Sequence, residues 1–270
     1  LLNKNSFSYL NFYKRRARRI LPALLFVMLV TIPFAWKTMI PSDFIDYAKS
    51  ILYSLGFTSN FYFWYTGQAY AAESSLIKPF LHTWSLSVEE QYYIFFPIIF
   101  LIIFKFFKKY LLSIIFLGFF LSIGLADWLS KNHPGVNFYM LPTRGWELLA
   151  GSLLAYYEIK FGRENKSTTF NLVLPTLGFV LVLYSFLFFS EQTRHPSVYT
   201  LIPVIGVSLI IWFSSKKDYL TNVLSSRILV GTGLISYSLY LWHYPIFAFA
   251  RIKGIFYDNL SLFFLKRSLL

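Results

Sequence analysis

Seven stretches of this 270-residue chain are apolar for long enough to cross about 30 Å of hydrocarbon. They run from Ile20 to Trp36, Trp84 to Phe104, Tyr110 to Leu129, Tyr139 to Tyr157, Phe170 to Ser190, Val198 to Phe213 and Ile228 to Ala250. Such a chain has few options, because in lipid every backbone N–H and C=O must find its partner inside the protein, and single long segments achieve this as helices. The expected fold is all-α, a polytopic transmembrane helix bundle of about seven full spans. Composition agrees: 56% of residues are hydrophobic and only 14% charged, outside the range of soluble domains. A further apolar run begins near Phe256 and reaches Leu270, and the first residue is Leu1, not methionine. We therefore read residues 1–270 as one membrane domain, incomplete at both ends. With no cysteine, disulfides, thiol nucleophiles and cysteine metal sites are excluded, and no metal is expected.

The net charge of +13 would suggest nucleic acid in a soluble protein, but its distribution points to lipid. If the segment KRRARR (Lys14 to Arg19) is cytoplasmic, the loops on that side also carry Lys105, Lys108, Lys109, Lys160, Arg163, Lys166, Lys216, Lys217 and Arg227. Together these outnumber Lys37, Lys78, Lys131, Arg194, Arg251 and Lys253 opposite, as the positive-inside rule requires. The partners implied are membrane lipids and no nucleic acid. This topology holds only if the stretch from Phe44 to Tyr65 does not cross. It contains Asp46 and Lys49 and ends in the aromatic run SNFYFWYTGQAY, so a shallow or re-entrant helix on the outer side is expected. The aromatics from Asn60 to Tyr70 suit either stacking on sugar rings or an interfacial belt.

Polar residues inside the spans carry the functional reading, because a charge at a helix centre costs about 2.5 to 3.5 kcal/mol and is usually turned inward. Glu89 and Glu90 open the second span, and at least one should face the bundle interior. Arg144 and Glu147 lie three residues apart on one helical face, a spacing that permits an ion pair. Ser236, Tyr240 and His243 fall at i, i+4 and i+7, a polar stripe on an apolar helix. Pro33, Pro97, Pro142, Pro175, Pro203 and Pro245 lie at or within spans and should kink them. Each feature also has a structural reading. The glutamates suit the headgroup region and a helix N-terminus, Arg144 with Glu147 suits a bundle-closing pair, His243 suits a helix-to-helix hydrogen bond, and the arginine cluster suits a topology signal and lipid anchor.

Taken in order, NFYKRRARRILPALL, LHTWSLSVEEQYYIFFP, RGWELLAGSLLA and ISYSLYLWHYPIF resemble four successive signature segments of the membrane-bound acyltransferase 3 family, whose members O-acylate bacterial surface carbohydrates. The resemblance extends from about Phe7 to Ile246. It implies an O-acyltransferase of the bacterial inner membrane that takes an acyl group, acetyl in many members, from cytoplasmic acyl-CoA as co-substrate, with no bound cofactor. The acceptor would be a hydroxyl of an envelope carbohydrate. The family's arginine motif, two arginines separated by two residues, is met by Arg15 with Arg18 or by Arg16 with Arg19 and is associated with the donor. Guanidinium groups grip phosphates in bidentate fashion, as that role requires.

The resemblance also places Trp84, Ser85, Leu86, Glu89, Glu90, Gln91, Arg144, Glu147, Ser236, Tyr237, Tyr240 and His243 around an interior cavity, with Tyr240 or Arg144 as donors to a developing oxyanion. The family's base, a histidine following a basic residue in its first span, has no counterpart in these 270 residues, since His82 and His243 belong to other signatures. This fragment is therefore expected to bind but not necessarily to turn over. A polytopic transporter or exporter of a small anionic or sugar-linked substrate is the alternative, which should show inverted repeats and paired broken helices; none stands out.

Overall fold

The computed structural model describes residues 8–66, 75–162, 168–190, 192–215 and 218–255. All seven expected spans are helices: α1 (Tyr9–Thr38), α4 (Thr83–Phe106), α5 (Leu111–Asn132), α7 (Leu141–Phe161), α8 (Thr168–Phe188), α9 (Leu201–Phe213) and α11 (Arg227–Ile252). Between them lie α2 (Pro41–Leu55), α3 (Ser59–Tyr65), α6 (Pro134–Tyr139) and α10 (Tyr219–Leu224). Among the described residues no strand occurs. By length and apolar composition α1, α4, α5 and α8 can cross a membrane. Helix α9 is shorter, with 13 residues, and α7 and α11 carry charged and polar groups that the bundle must house.

Helix α1 begins well before its apolar run, capped by the Ser8 side chain, which accepts from the Asn11 N–H. The KRRARR segment is therefore helical. Not every span proline kinks its helix: Pro142 lies in the first turn of α7 and Pro203 in the first turn of α9, where the missing N–H has no intrahelical partner to lose. Pro22 and Pro33 in α1, Pro97 in α4, Pro175 in α8 and Pro245 in α11 are interior.

Side-chain pairs fix helix directions. Tyr237 meets Ile20, Trp242 meets Phe26 and Phe249 meets Phe34, so α1 and α11 run parallel. Arg16 meets Glu90 while Tyr13 meets Ile94, so α4 is antiparallel to α1. Trp84 meets Arg144 and Tyr92 meets Ser152, which makes α7 parallel to α4. These directions match the alternation predicted from the basic loops. They also require residues 39–82 to leave and return on one side of the bundle, so α2 and α3 make no net crossing.

The expected single re-entrant helix is in fact two, broken at Gly56 to Thr58, where Phe57 has φ 52°. The pair descends beside the first turns of α4 through a seam of small hydroxyls and amides. Ser54 bonds Thr83 at 2.7 Å, Ser59 bonds Ser87 at 2.7 Å, and Gln91 donates to Asn60 at 2.8 Å. Apolar residues on the outside remain uncovered, including Phe26 and Leu29 of α1, Phe95 and Ile99 of α4, and Phe120 and Leu121 of α5. In the four membrane-length helices a third or less of the apolar window is buried within the molecule, which leaves the remainder for lipid. The chain is an integral membrane protein.

Candidate active site

Helix α4 is the strut on which most of the candidate residues meet. Its buried face presents Thr83, Trp84, Leu86, Ser87, Val88, Glu90, Gln91 and Tyr92. Glu89 and Glu90 sit nearly two turns inside this helix, so they do not serve its N-terminus. They also part company: Glu90 is buried and Glu89 exposed. Arg16 Nε donates to both Glu90 oxygens, at 2.8 and 2.9 Å, and the guanidinium lies 3.4 Å from the Tyr93 ring centroid. Tyr13 closes the same contact by donating to the Ile94 carbonyl at 3.1 Å.

That pairing divides the arginine cluster. Arg16 is committed to Glu90, whereas Arg15, Arg18 and Arg19 are exposed on the first turns of α1. Arg15 and Arg18 are one turn apart on a common face, as are Arg15 and Arg19. Of the two possible arginine pairs, Arg15 with Arg18 is thus the one with both side chains directed to solvent, and Arg16 with Arg19 is split.

Toward the start of α4, Arg144 meets Trp84 and, one turn along its own helix, Glu147. The Arg144 guanidinium lies 4.5 Å from the Trp84 ring and 4.9 Å from the Phe138 ring. Its Nε donates to the Phe138 carbonyl at 2.8 Å, and its nearest approach to Glu147 is 3.6 Å. The segment 192–200 covers this group. Asn137 Nδ2 donates to the Pro196 carbonyl at 2.7 Å, and the His195 ring stands 6.2 Å from Phe138. Burial, and after it the Arg144 charge, push the His195 imidazole down to about 3, so it is neutral at physiological pH. Sequence reasoning missed His195; it lies in a short hydrophilic connection that no helical period links to Arg144.

On the neighbouring side, Tyr240 donates to the His82 carbonyl at 2.7 Å and lies 2.9 Å from Ser85 Oγ. Its hydroxyl therefore pins α11 to the start of α4. His243 Nδ1 is 2.6 Å from the Tyr240 carbonyl. Its ring stands 5.2 Å from that of His82, which is 2% exposed.

Of the stripe Ser236, Tyr240, His243, the structure brings the last two together beside His82 and leaves Ser236 apart. Ser236 is exposed; the face of α11 that packs runs through Tyr237, Leu241, Tyr244 and Ala248. Gln91 is structural in its contacts: Nε2 also donates to the Phe57 carbonyl at 2.9 Å. Among the described residues no cluster of three or more potential metal ligands occurs.

Comparison with known proteins places this arrangement. A family model described as "Acyltransferase domain" matches residues 1–265. A Haemophilus influenzae protein of uncharacterised function is 35% identical over 226 residues, covering 80% of this chain and 91% of its own length. The peptidoglycan O-acetyltransferase OatA of Listeria monocytogenes is 30% identical over 254 residues, covering 87% of this chain and 39% of the relative. A Staphylococcus aureus protein provisionally named an O-acetyltransferase is 28% identical over 252 residues, covering 89% and 41%. The chain thus spans about two fifths of the length of the O-acetyltransferases it matches. No solved structure matches.

Proposed function

The chain belongs to the acyltransferase family, and from that premise we propose that it moves an acyl group, acetyl by the names of its relatives, from acyl-CoA to a hydroxyl of a cell-envelope carbohydrate. It does so as a multi-pass protein of the bacterial inner membrane. The observation that supports the donor side is the division within the arginine cluster: Arg16 is neutralised by Glu90, while Arg15, Arg18 and Arg19 stay exposed at the end of α1 that the basic loops assign to the cytoplasm. Three exposed guanidinium groups on adjacent turns suit the phosphates of acyl-CoA, which is soluble and cytoplasmic.

Transfer joins the acceptor oxygen to the thioester carbonyl carbon and breaks the carbon–sulfur bond. Coenzyme A leaves as the thiol once it takes up the proton the acceptor loses. The lack of cysteine suits direct transfer without a thioester enzyme intermediate. The Arg144 group, beside Trp84 in the first turn of α4 and under the 192–200 segment, lies on the side from which an envelope acceptor would come. Peptidoglycan is the acceptor suggested by the name of the Listeria relative.

The test is titration of the detergent-purified protein with acetyl-CoA. Substituting Arg15, Arg18 and Arg19 together by Ala should weaken binding at least about tenfold, since each charge-assisted hydrogen bond contributes about 1.5 to 3 kcal/mol. Arg16→Gln, which breaks only the pair with Glu90, should weaken it less than the triple variant does. Unaltered affinity in a folded triple variant refutes the donor assignment.

A further inference from the structure

The cleft between α2 and α3 has not entered the account so far. It is open, holds about 630 Å³, and is lined by Asp46, Lys49 and Tyr53 of α2, by Thr58, and by Tyr62 and Tyr65 of α3. Its volume is within the range of small-molecule sites, about 300 to 1,000 Å³. Two chemistries meet there. Tyr53 and Tyr62 stack at 4.7 Å, and Tyr65, 86% exposed, stands at the rim with a ring face uncovered. Lys49 supplies donors around those rings, while Asp46, held 3.2 Å from Lys78, and the Thr58 and Thr66 hydroxyls, which donate to the Tyr53 and Tyr62 carbonyls, supply acceptors. Burial, and then the Asp46 charge, push the Tyr62 phenol up to about 12, so it stays a neutral donor in this setting.

A purely lipid-facing belt accounts for Tyr65 and Leu52 but not for an aspartate, a lysine and two threonines lining the same hollow. A phosphate-rich ligand is disfavoured, because Asp46 sits among the lining groups. Aromatic faces flanked by a carboxylate, an ammonium and hydroxyls are the surface that a sugar ring satisfies: its C–H face lies on the aromatic rings while its hydroxyls pair with the charged groups at the edge. Helices α2 and α3 share the side of the bundle with the Arg144 group: α3 bonds α6 through Asn60, which donates to the Tyr139 carbonyl at 3.1 Å.

We infer that this cleft is a docking subsite for a carbohydrate chain, holding a ring of the glycan while another part of it reaches the reaction centre. The inference rests on the proposed acyl transfer to carbohydrate for its biological sense, but the docking itself is measured without acyl-CoA.

Chitotetraose and maltotetraose are titrated by calorimetry into the detergent-purified protein, its Tyr65→Leu, Tyr65→Trp and Lys49→Ala variants, and the triple arginine variant. Binding of at least one oligosaccharide is expected, weakened about 3- to 10-fold by Tyr65→Leu, the loss of one ring stack. Tyr65→Trp and the triple arginine variant should bind as the parent does, and Lys49→Ala should bind more weakly. Because Tyr65 and Lys49 are exposed, these changes should not disturb folding, which thermal unfolding checks. If neither oligosaccharide binds, or if Tyr65→Leu binds as well as the parent, the docking subsite is refuted. Failure of acetyl-CoA binding with retained saccharide binding would instead refute the donor assignment and leave the cleft in place.

Discussion

Replacing Glu90 by Gln should be among the most damaging single changes on α4. The substitution keeps size and one acceptor oxygen but removes the charge and turns an amide N–H₂ toward the Arg16 guanidinium. Glu90 is 7% exposed at its side chain and Arg16 21%, so the arginine would keep a charge that water reaches only partly. Removing one member of a fully buried pair costs about 3 to 5 kcal/mol; with Arg16 partly wet and still resting on Tyr93, about 2 to 4 kcal/mol is the expected loss. For a chain of this size that corresponds to a midpoint lower by about 5 to 10 °C. Arg16→Gln should cost at least as much, because it strands the more deeply buried carboxylate. The double variant, with two amides that can bond each other, should cost less than the sum by about 2 kcal/mol. Thermal unfolding in detergent, followed by tryptophan fluorescence, measures all four corners of the cycle. Arg19→Gln, at an exposed position, is the control and should change stability by less than about 0.5 kcal/mol. Additive single variants, or an Arg19→Gln loss equal to that of Arg16→Gln, would refute the idea that Arg16 is set apart from its neighbours by Glu90.

The helices α8 and α9 touch backbone to backbone: a Cβ built on Gly178 would lie 2.5 Å from the Gly206 carbonyl oxygen, and one on Gly206 would lie 2.6 Å from the Gly178 oxygen. Gly178→Ala should therefore force the pair apart at a cost of about 1 to 3 kcal/mol, read as a lower unfolding midpoint, while Gly231→Ala, with open space around it, should not. Gln91→Leu removes partners from buried Asn60 and from the Phe57 carbonyl, and should cost about 1 to 3 kcal/mol in the same assay. His195 binds its proton less readily when folded than when unfolded, so below the unfolded value near 6.5 the unfolded state gains protons first and stability falls as pH drops toward about 3. The unfolding midpoint should fall between pH 7.5 and pH 5, and His195→Gln should reduce that fall; an unchanged pH dependence would show that the imidazole is not held neutral.

Spans and their directions were legible because hydrocarbon imposes a length and lysine and arginine mark a side, and both constraints act on single segments. Whether residues 44–65 cross was legible only indirectly, through the charge count on either side, and the break at Phe57 was not legible at all. A helix interruption at the cost of a positive φ on a phenylalanine is set by what α2 and α3 must bond, namely the hydroxyls and amide of Thr83, Ser87 and Gln91. The candidate site divides along the same line. Arg144 with Glu147 was readable from spacing on one helix. Glu90 with Arg16, Tyr240 with Ser85, and His195 beside Arg144 join residues far apart in the chain, and only packing brings them within reach.

The arginine cluster shows why this distinction matters for function. On the sequence, Arg15 with Arg18 and Arg16 with Arg19 are equivalent pairs, since helical spacing is the same for both. They become different once α4 is laid antiparallel to α1, because a carboxylate two turns inside α4 then falls opposite only one of the four. That carboxylate meets Arg16 in the region between the helices, where a lone guanidinium is expensive and a matched pair is tolerable. Glu90 thus lets α1 carry its positive charge close to the apolar region while holding the remaining three arginines in a fixed register at its exposed end. If the exposed arginines hold acyl-CoA as proposed, the glutamate orders them without touching the ligand. It follows that Glu90→Gln should weaken acetyl-CoA binding less than the triple arginine substitution does, and through lost stability: its affinity should return toward that of the parent as the temperature is lowered away from its unfolding midpoint, whereas the triple variant should stay weak at every temperature. A Glu90→Gln deficit that persists well below the midpoint would mean that the carboxylate acts on the ligand itself.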